Sequence, residues 1–375
     1  MAVLAELIEL LETRYPPHLA ESWDSVGLVC GDPADAVTAV LTCVDVTDAV
    51  VDAAVGGGFE LVVAHHPLLL RGVDTVGAHT PKGRLVHRLI RSGCALYTAH
   101  TNADIARPGV SDALGDALGL VDMLPLQPTT TPAMDKWAVF VPQTDTDRVA
   151  EAMFAAGAGE IGDYSECRWS VTGTGRFRPG EGAHPTIGTV GQVESVVEDR
   201  VEMVADRGRR EAVLAALRDA HPYEEPAFDL LETVPVATDT GLGRIGRLPD
   251  PMSLRDFTDH VARSLTVAPW GVRAAGDPES TVTTVAVCGG AGDSLIDTAA
   301  ASGADVFVTA DLRHHPVDEH LREHELAVID AGHWATEFPW CAQVSSVLAA
   351  HDPSLVVHEY GDTTDRFTMH AGPQA

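Results

Sequence analysis

Histidine side chains that directly follow an apolar, strand-like run are the clearest chemical feature of the sequence. His65 and His66 follow the run at residues 59–64 and precede Pro67. Neighbouring side chains on a strand point to opposite faces, but a proline ends the strand, so both rings can turn toward one site. A histidine pair that only caps the strand is the alternative interpretation.

Two further polar groups occupy the same position relative to a predicted strand. They are His100 and Asp104 after residues 95–99, and His333 and Glu337 after residues 326–330. Loops beyond the carboxyl ends of α/β strands gather in one crevice, so distant groups can converge. Asp104 alone is also typical of a turn, and a histidine four residues before a glutamate also occurs on solvated helix faces. Because Pro339 fits only the first turn of a helix, His333 lies either with Glu337 on a helix or in the loop before it.

The types of these side chains indicate a metal site. Imidazole and carboxylate without thiolate suit Zn²⁺, Fe²⁺, Mn²⁺, Co²⁺ or Ni²⁺ rather than Ca²⁺. Five or six such ligands are too many for one tetrahedral ion, whereas two ions about 3.5 to 4 Å apart would use them and would activate water near neutral pH. We expect Glu337 to bridge the two ions, since a carboxylate can place one oxygen on each.

A second His-His-Pro string and a polar turn compete with this group. His314, His315 and Pro316 follow the predicted strand at 306–309 and either assist at the same crevice or form an exposed loop. We do not expect them to bind the ions directly. The string at residues 221–226 (HPYEEP) is typical of a structural turn.

The elements that must position these groups follow from the apolar pattern. A helix is predicted over residues 3–13, and short strands then alternate with helices, which is typical of an α/β domain with a layered sheet. The predicted strands are 37–46, 59–64, 95–99, 282–287, 306–309 and 326–330, and the predicted helices are 48–55, 83–91, 294–301 and 340–350. A tight turn is predicted at 288–292.

A change of pattern in the middle of the chain predicts an insert. Residues 125–132 carry three prolines and three threonines, which favours a linker. The following strands (137–141, near 167–175, 188–197, 200–204 and 227–231) and helices (145–157 and 209–220) predict a ferredoxin-like α+β module. The predicted domains are the first half of a metal-binding α/β domain (1–130), the insert (131–236) and the second half (237–375).

Composition limits the classes of protein and partner. A chain of 375 residues exceeds what one hydrophobic core serves, and a net charge of −30 disfavours nucleic acid and anionic membranes as partners. The longest apolar stretch, 61–70, is broken by two histidines and is too short for a membrane helix. The first six residues carry an acid where a signal peptide has positive charge, so we expect a cytoplasmic protein.

Seven motifs in order resemble one known family. They are SWDSVGL (22–28), AHHP (64–67), HTNAD (100–104), GRIG (243–246), VCGGAG (287–292), ADVFVTAD (304–311) and GHWATE (332–337). Together they resemble the GTP cyclohydrolase I type 2 homologues, also described as dinuclear-metal-centre hexameric proteins similar to the NGG-interacting factor three of yeast. The resemblance covers nearly the whole chain, insert included.

This resemblance carries expectations about the site and the assembly. It implies metal ligands at His65, His66, Asp104, His333 and Glu337, with His100 beside them. It also implies a toroidal homohexamer, a trimer of dimers, with metal sites facing an inner cavity and an insert like the PII and CutA modules near the cavity entrance. Where many relatives have Gly-Asp, this chain has Ala310 and Asp311, a difference that we do not expect to affect the metals.

Two hypotheses about function follow. In the first, the chain is a two-metal hydrolase that acts on a nucleotide such as GTP or on a phosphoester, with His100 or the 314–315 pair assisting proton transfer. In the second, it is a non-catalytic metal-binding regulatory or interaction protein whose insert senses a small ligand. The sequence alone does not select the substrate or the native metal.

Overall fold

The computed structural model describes residues 2–266 and 268–371. The chain divides into two compact units: the first comprises Met1–Thr129 and Asp239–Ala375, and the second comprises Thr130–Thr238. The predicted domain boundaries lie after residues 130 and 236.

The strands of the described residues are, in chain order, β1 (Ala2–Val3), β2 (Gly27–Cys30), β3 (Ala36–Val37), β4 (Ala39–Cys43), β5 (Leu61–Ala64), β6 (Ala95–Thr98), β7 (Val121–Thr130), β8 (Met134–Pro142), β9 (Trp169–Phe177), β10 (Glu194–Asp206), β11 (Phe228–Glu232), β12 (Ala237–Ser253), β13 (Arg273–Ala275), β14 (Thr281–Ala291), β15 (Val306–Ala310), β16 (Ala327–Asp330) and β17 (Val356–Glu359). The helices are α1 (Leu4–Arg14), α2 (Asp48–Gly57), α3 (Pro81–Arg91), α4 (Thr101–Ile105), α5 (Val110–Ala117), α6 (Thr146–Ala155), α7 (Arg210–Ala220), α8 (Leu254–Ser264), α9 (Ile296–Ala301), α10 (His314–Glu323), α11 (His333–Glu337) and α12 (Pro339–His351).

The first unit has two mixed sheets with helices packed on them. In its described part, one sheet has the order β17-β4-β5-β6-β2 and the other the order β13-β16-β15-β14-β12-β7. Strands β4, β5 and β6 are parallel to one another, and so are β14, β15 and β16. The predicted α/β class is confirmed. The candidate site residues, however, lie at the ends of strands from two sheets rather than from one.

Burial explains why these segments form strands and helices. All four residues of β5 are buried, as expected for a parallel strand covered on both faces. In α1, Leu4, Leu7 and Leu11 recur at helical spacing and are all fully buried in a cluster that includes Trp340 of α12. The predicted first helix thus buries its apolar stripe in the same core cluster as the last helix, and Tyr15 at its C-cap contacts Trp340 of that helix.

Two predictions about local structure in the first unit are wrong. Residues 125–132 are not a linker, because β7 runs through Thr130 as the edge strand beside β12. An edge strand leaves one row of N–H groups unpaired and so tolerates proline. Gly241 of β12 allows this pairing, since a Cβ there would lie 2.2 Å from the carbonyl oxygen of Gln127.

The predicted turn at 288–292 is instead the end of strand β14. The ladder between β14 and β15 shifts its register between Val287 and Ala291, and Gly290 has a φ of +65°. The glycines therefore bend the strand locally without ending it.

The second unit has a four-stranded antiparallel sheet in its described residues. The strand order is β11-β8-β10-β9, with connectivity β8-α6-β9-β10-α7-β11. Trp137, Val139 and Val201 form its core together with Met153 of α6 and Leu217 of α7.

The predicted division of strand β10 is also wrong. The predicted strands at 188–197 and 200–204 are one strand, Glu194–Asp206. Asp199 lies inside this strand, and its carboxylate accepts hydrogen bonds from the hydroxyl groups of Thr146 on α6 and Thr172 on β9.

Across residues 2–266 and 268–371, we find no helix with the length and apolar character needed to cross a lipid bilayer.

Candidate metal centre

Each sequence-predicted site residue lies at or just beyond the carboxyl end of a parallel strand. His65 and His66 directly follow β5, and their backbone N–H groups donate to the carbonyls of Cys43 and Val44. His100 follows β6 as the N-cap residue of α4, which carries Asp104. The backbone therefore delivers four of the six side chains from two neighbouring strands.

The other two side chains come from the second sheet of the first unit. His333 and Glu337 lie four residues apart on α11, which begins after β16. Of the two geometries left open by the sequence, the helical one is observed. Pro339 does not interrupt this helix because it occupies the first position of α12.

Every histidine of the site has its Nδ1 held by an acceptor. The Nδ1 of His65 donates to the carbonyl oxygen of Ala99 at 2.9 Å. The other three donate to carboxylates: His66 to Asp45 (2.8 Å), His100 to Asp24 (2.8 Å) and His333 to Asp311 (2.7 Å). Because each partner accepts, Nδ1 carries a hydrogen and Nε2 is the nitrogen left to bind a metal ion in place of a proton, which is the arrangement that metal-binding histidines use.

The Nε2 atoms of three histidines converge on one carboxylate. Glu337 Oε1 lies 3.1 Å from His333 Nε2 and 3.5 Å from His65 Nε2, while Oε2 lies 3.1 Å from His66 Nε2. Asp104 Oδ1 lies 3.7 Å from His65 Nε2. The two oxygens of Glu337 thus face different histidines, as a bridging carboxylate requires.

Two buried atoms at the centre lack a hydrogen-bond partner among the described residues. They are His65 Nε2 and Glu337 Oε2. A buried polar atom without a partner is costly, so such atoms indicate a missing ligand. Two ligands of one tetrahedral ion lie about 3.4 Å apart, and the measured separations of 3.1 to 3.7 Å agree with this. The donor set therefore fits divalent ions, and ligand atoms cluster both at His65, His66 and His100 and at His66, His333 and Glu337.

The electrostatics of the site favour positive charge around Glu337. Burial alone would lower the pKa of His66, but Glu337 and Asp45 raise it to about 10. Burial likewise opposes protonation of His333, and Glu337 with Asp311 raises its pKa to about 11. The pKa of Glu337 is well below its usual range because the nearby imidazoles outweigh its burial. A divalent ion would supply the positive charge that this carboxylate stabilises.

Burial shifts the pKa values of His100 and Asp104 in opposite directions and favours the neutral form of each. Burial and the neighbouring His65 lower the pKa of His100 to about 4, which keeps its ring neutral near neutral pH. Burial, reinforced by Glu337, raises the pKa of Asp104 to about 6. Perturbed groups of this kind are typical of functional sites.

The sequence reasoning missed the three carboxylates that orient the histidines. Asp24 lies in the SWDSVGL motif, Asp45 follows β4, and Asp311 follows β15. Asp311, which bonds the ring of His333, follows Ala310, the position where this chain differs from many relatives, and the expectation that this difference leaves the metals unaffected stays a prediction. The signal was present for Asp45 and Asp311, since both follow parallel strands as the proposed ligands do.

A buried arginine of the GRIG motif supports the loop that follows Asp104. Arg244 is fully buried, and its guanidinium donates to the carbonyl of Ala106 and pairs with Asp112 at 2.8 Å. It also donates to the carbonyls of Gly241 and Gly243. These contacts hold the two terminal nitrogens and tie β12 to the end of α4, while Nε has no hydrogen-bond partner among the described residues.

His314 and His315 form the first turn of α10 rather than a loop. Both are exposed, and their rings contact each other with centroids 5.2 Å apart. Neither belongs to the ligand clusters found around Glu337 in the described part of the chain.

Comparison with known proteins gives the same family over nearly the whole length. Residues 2–363 match the model of the Duf34/NIF3 (NGG1p interacting factor 3) family. A Mycobacterium tuberculosis protein named GTP cyclohydrolase 1 type 2 homolog is 59% identical over 93% of this chain and 92% of its own length. A Halalkalibacterium halodurans protein of the same name is 41% identical over 87% of each chain.

Solved structures show the same relationship. The crystal structure of a Bacillus cereus protein related to NIF3 is 36% identical and superposes with a TM-score of 0.67 over 99% of each chain. A Staphylococcus aureus protein superposes with a TM-score of 0.73 at 27% identity, over 98% of this chain and 99% of its own. The sequence, the fold and the arrangement of motifs agree, and the chain belongs to the Duf34/NIF3 family.

Proposed function

We propose that the chain is a hydrolase that depends on two divalent metal ions held by His65, His66, Asp104, His333 and Glu337. The observation that carries this proposal is the position of Glu337, whose two oxygens face the Nε2 atoms of histidines from two sheets. A carboxylate shared in this way suits a pair of ions better than one.

The residues of the chain would divide the work of such a reaction. Bound ions would lower the pKa of a water molecule and polarise the substrate bond. Asp45 and Asp311 keep the rings of His66 and His333 fixed, so the site is organised before substrate arrives. His100 holds its hydrogen on Nδ1 toward Asp24, which leaves Nε2 as the atom that would accept a proton from the attacking water.

A cavity beside the centre has the size of a small-molecule binding site. Its volume is about 740 Å³, within the usual range of about 300 to 1,000 Å³ for ligand pockets. Its lining includes His66 and His333, the aromatic rings of Trp270 and Phe367, the guanidinium groups of Arg273 and Arg366, and the carboxylates of Asp45, Asp311, Asp330 and Asp365. Aromatic rings and a guanidinium favour a nucleotide such as GTP or another phosphoester as the substrate.

The test compares metal content and turnover in matched proteins. Wild type, His66→Ala and His315→Ala are loaded with Zn²⁺, Mn²⁺ or Co²⁺, dialysed, analysed for metal and assayed against GTP, other nucleotides and phosphoesters. The proposal expects turnover that is lost with the metal in His66→Ala and kept in His315→Ala, which alters an exposed histidine. Full metal loading with no turnover on any substrate would reject the hydrolase.

A regulatory role is the second candidate, favoured by a cavity in the second unit. This cavity of about 380 Å³ is lined by Phe140, Phe177, Tyr223 and Glu198, among others. The Tyr223 hydroxyl donates to Glu198 at 2.8 Å, so the cavity has one ordered polar wall and several aromatic ones. Ligand binding there, together with absence of turnover, would favour a metal-binding protein that senses a small molecule.

We also propose that residues 131–236 form a ferredoxin-like insert domain between the two halves of the metal-binding domain. The support is the βαββαβ connectivity with strand order β11-β8-β10-β9, in which the two halves interlock. Independent expression of this segment with cooperative unfolding is the expected result.

A homohexamer, arranged as a trimer of dimers, is our proposal for the assembly. Besides the family resemblance, its support is the edge strand β9, where Trp169 and Val171 are 57% and 46% exposed. Exposed apolar side chains on a sheet edge are usually covered by a partner. Light scattering of the purified chain tests this directly.

A further inference from the structure

A second group of potential metal ligands lies at the end of helix α10. His320 and His324 are four residues apart, and Asp297 of α9 lies beside them. One ligand atom from each of these residues lies within 4.8 Å of the others. The group shares no residue with the centre around Glu337, so it requires its own explanation.

His320 has one ring nitrogen held and the other unsatisfied. The residue is only 4% exposed, and its Nε2 donates to the carbonyl of Leu326 at 3.2 Å. This hydrogen bond places the hydrogen on Nε2 and leaves a lone pair on Nδ1. In the described part of the chain, Nδ1 is buried and has no hydrogen-bond partner. An unsatisfied buried acceptor lowers the stability of the folded state, and a bound ligand would offset that cost.

The other two residues are accessible from solvent. His324, at the end of α10, and Asp297, in the first turn of α9, are both exposed. The rings of His320 and His324 lie nearly parallel with centroids 5.0 Å apart. Histidines four residues apart lie on one face of a helix, so both rings can contact one ion. The group therefore combines one buried imidazole with two ligands that solvent reaches.

We propose that His320, His324 and Asp297 form a separate binding site for a transition-metal ion. Two imidazoles and a carboxylate suit Zn²⁺, Co²⁺, Ni²⁺ or Cu²⁺, whereas Mg²⁺ and Ca²⁺ prefer oxygen ligands. Three protein ligands leave the remaining positions to water, so the ion exchanges with solvent. Because the ligands come from two helices, the ion links α9 to α10 and stabilises the folded state.

The test counts ions in the full-length chain with Zn²⁺ as the probe. Chelator-treated wild type, His324→Ala, Asp297→Asn and His315→Ala are titrated with Zn²⁺ by calorimetry. His324 and Asp297 are exposed, so replacing them should not disturb the core, and His315 is a matched exposed histidine on the same helix. We expect His324→Ala to bind one ion fewer than wild type and His315→Ala to bind the same number. Asp297→Asn should weaken Zn²⁺ binding at this site by at least about 10-fold, since the loss of even an outer partner of a ligand costs this much.

A second measurement separates a specific site from weak surface binding. Saturating Zn²⁺ should raise the melting temperature of Glu337→Gln, in which the main centre is impaired, and adding His324→Ala to that variant should remove the rise. Equal stoichiometry and affinity in wild type and His324→Ala would overturn the proposal. Equal losses in His324→Ala and His315→Ala would overturn it as well, since binding would then depend only on the number of exposed histidines.

Discussion

Histidines in the two units of the molecule are used in opposite ways. In the first unit, His65 has its Nδ1 bonded to a backbone carbonyl, and its Nε2 is buried without a partner among the described residues. In the second unit, His221 is also buried, but Nε2 donates to the carbonyl of Phe140 at 3.0 Å and Nδ1 accepts from the N–H of Tyr223 at 3.0 Å. The ring of His65 is fixed by one hydrogen bond and keeps Nε2 for a ligand, whereas both nitrogens of His221 are hydrogen-bonded to the protein.

This comparison shows what separates a ligand from a structural histidine. Burial does not separate them, because the rings of His65 and His221 are both nearly inaccessible to solvent. Sequence context does not separate them either, because a proline follows each of the two histidines within two positions. The distinguishing property is whether one or both ring nitrogens form hydrogen bonds within the protein, and this depends on tertiary contacts.

Glu337→Gln is the change with the largest expected effect. The amide keeps the shape of the side chain but loses the charge that faces three histidines. We expect both ions to be lost at Zn²⁺ concentrations that saturate the wild type, with a fall in affinity of more than about 100-fold, since a ligand matters more than its outer partners. Metal analysis after dialysis measures this, and Glu225→Gln in the second unit is the control. Retention of two ions would show that the carboxylate is not a bridge.

Asp45→Ala should produce the next largest effect. Without the acceptor at 2.8 Å, the ring of His66 is free to turn and its Nε2 is no longer aimed at the centre. We expect Zn²⁺ affinity to fall by about 10- to 100-fold, with partial recovery in Asp45→Asn, whose amide oxygen still accepts a hydrogen bond. Asp74→Ala removes an exposed carboxylate and should leave affinity unchanged. An unchanged affinity in Asp45→Ala would mean that the ring is fixed by packing alone.

The sequence was sufficient to find the strands that precede the candidate ligands, although not the short helix α4 that carries Asp104. Strand β5 reads as an uninterrupted apolar run and is followed by a proline within three residues, so both its end and the polar residues after it were predictable. The same holds for β6 and β16, whose apolar runs end directly before His100 and within a few residues of His333. Buried parallel strands have this pattern because both faces are covered.

Strand β7 and the orienting carboxylates required the tertiary structure. The partner of β7 is β12, more than a hundred residues away in the chain, and local composition pointed to a linker instead. Asp45 and Asp311 are single aspartates after strands, where turns commonly place them, and only the contact with an imidazole reveals their role. The convergence of two sheets on Glu337 likewise has no local signal.

His221→Ala should affect stability and leave the metal content unchanged. The change removes both hydrogen bonds of a buried ring and leaves the carbonyl of Phe140 without its donor. We expect the free energy of opening of the second unit to fall by about 2 kcal/mol. Hydrogen exchange of the amides of β8 measures this in the full-length chain, with His18→Ala as an exposed control. A loss of Zn²⁺ binding in His221→Ala would break the distinction between the two kinds of histidine.

The pH dependence of stability that His221 causes in the second unit is the smallest expected effect and the most specific one. Burial lowers the pKa of His221 below its usual value near 6.5, so the unfolded chain binds a proton at a pH where the folded chain does not. The stabilisation from the neutral ring is complete above about pH 6.5 and is lost as the pH falls toward the folded-state pKa, by at most about 1.4 kcal/mol per pH unit. Protonation of Nδ1 also removes the acceptor for the N–H of Tyr223.

Protection of the β8 amides, corrected for intrinsic exchange rates, should therefore fall more steeply below pH 6.5 in wild type than in His221→Ala. Parallel curves for the two proteins would show that the ring titrates equally in both states and that its two hydrogen bonds do not depend on its neutral form.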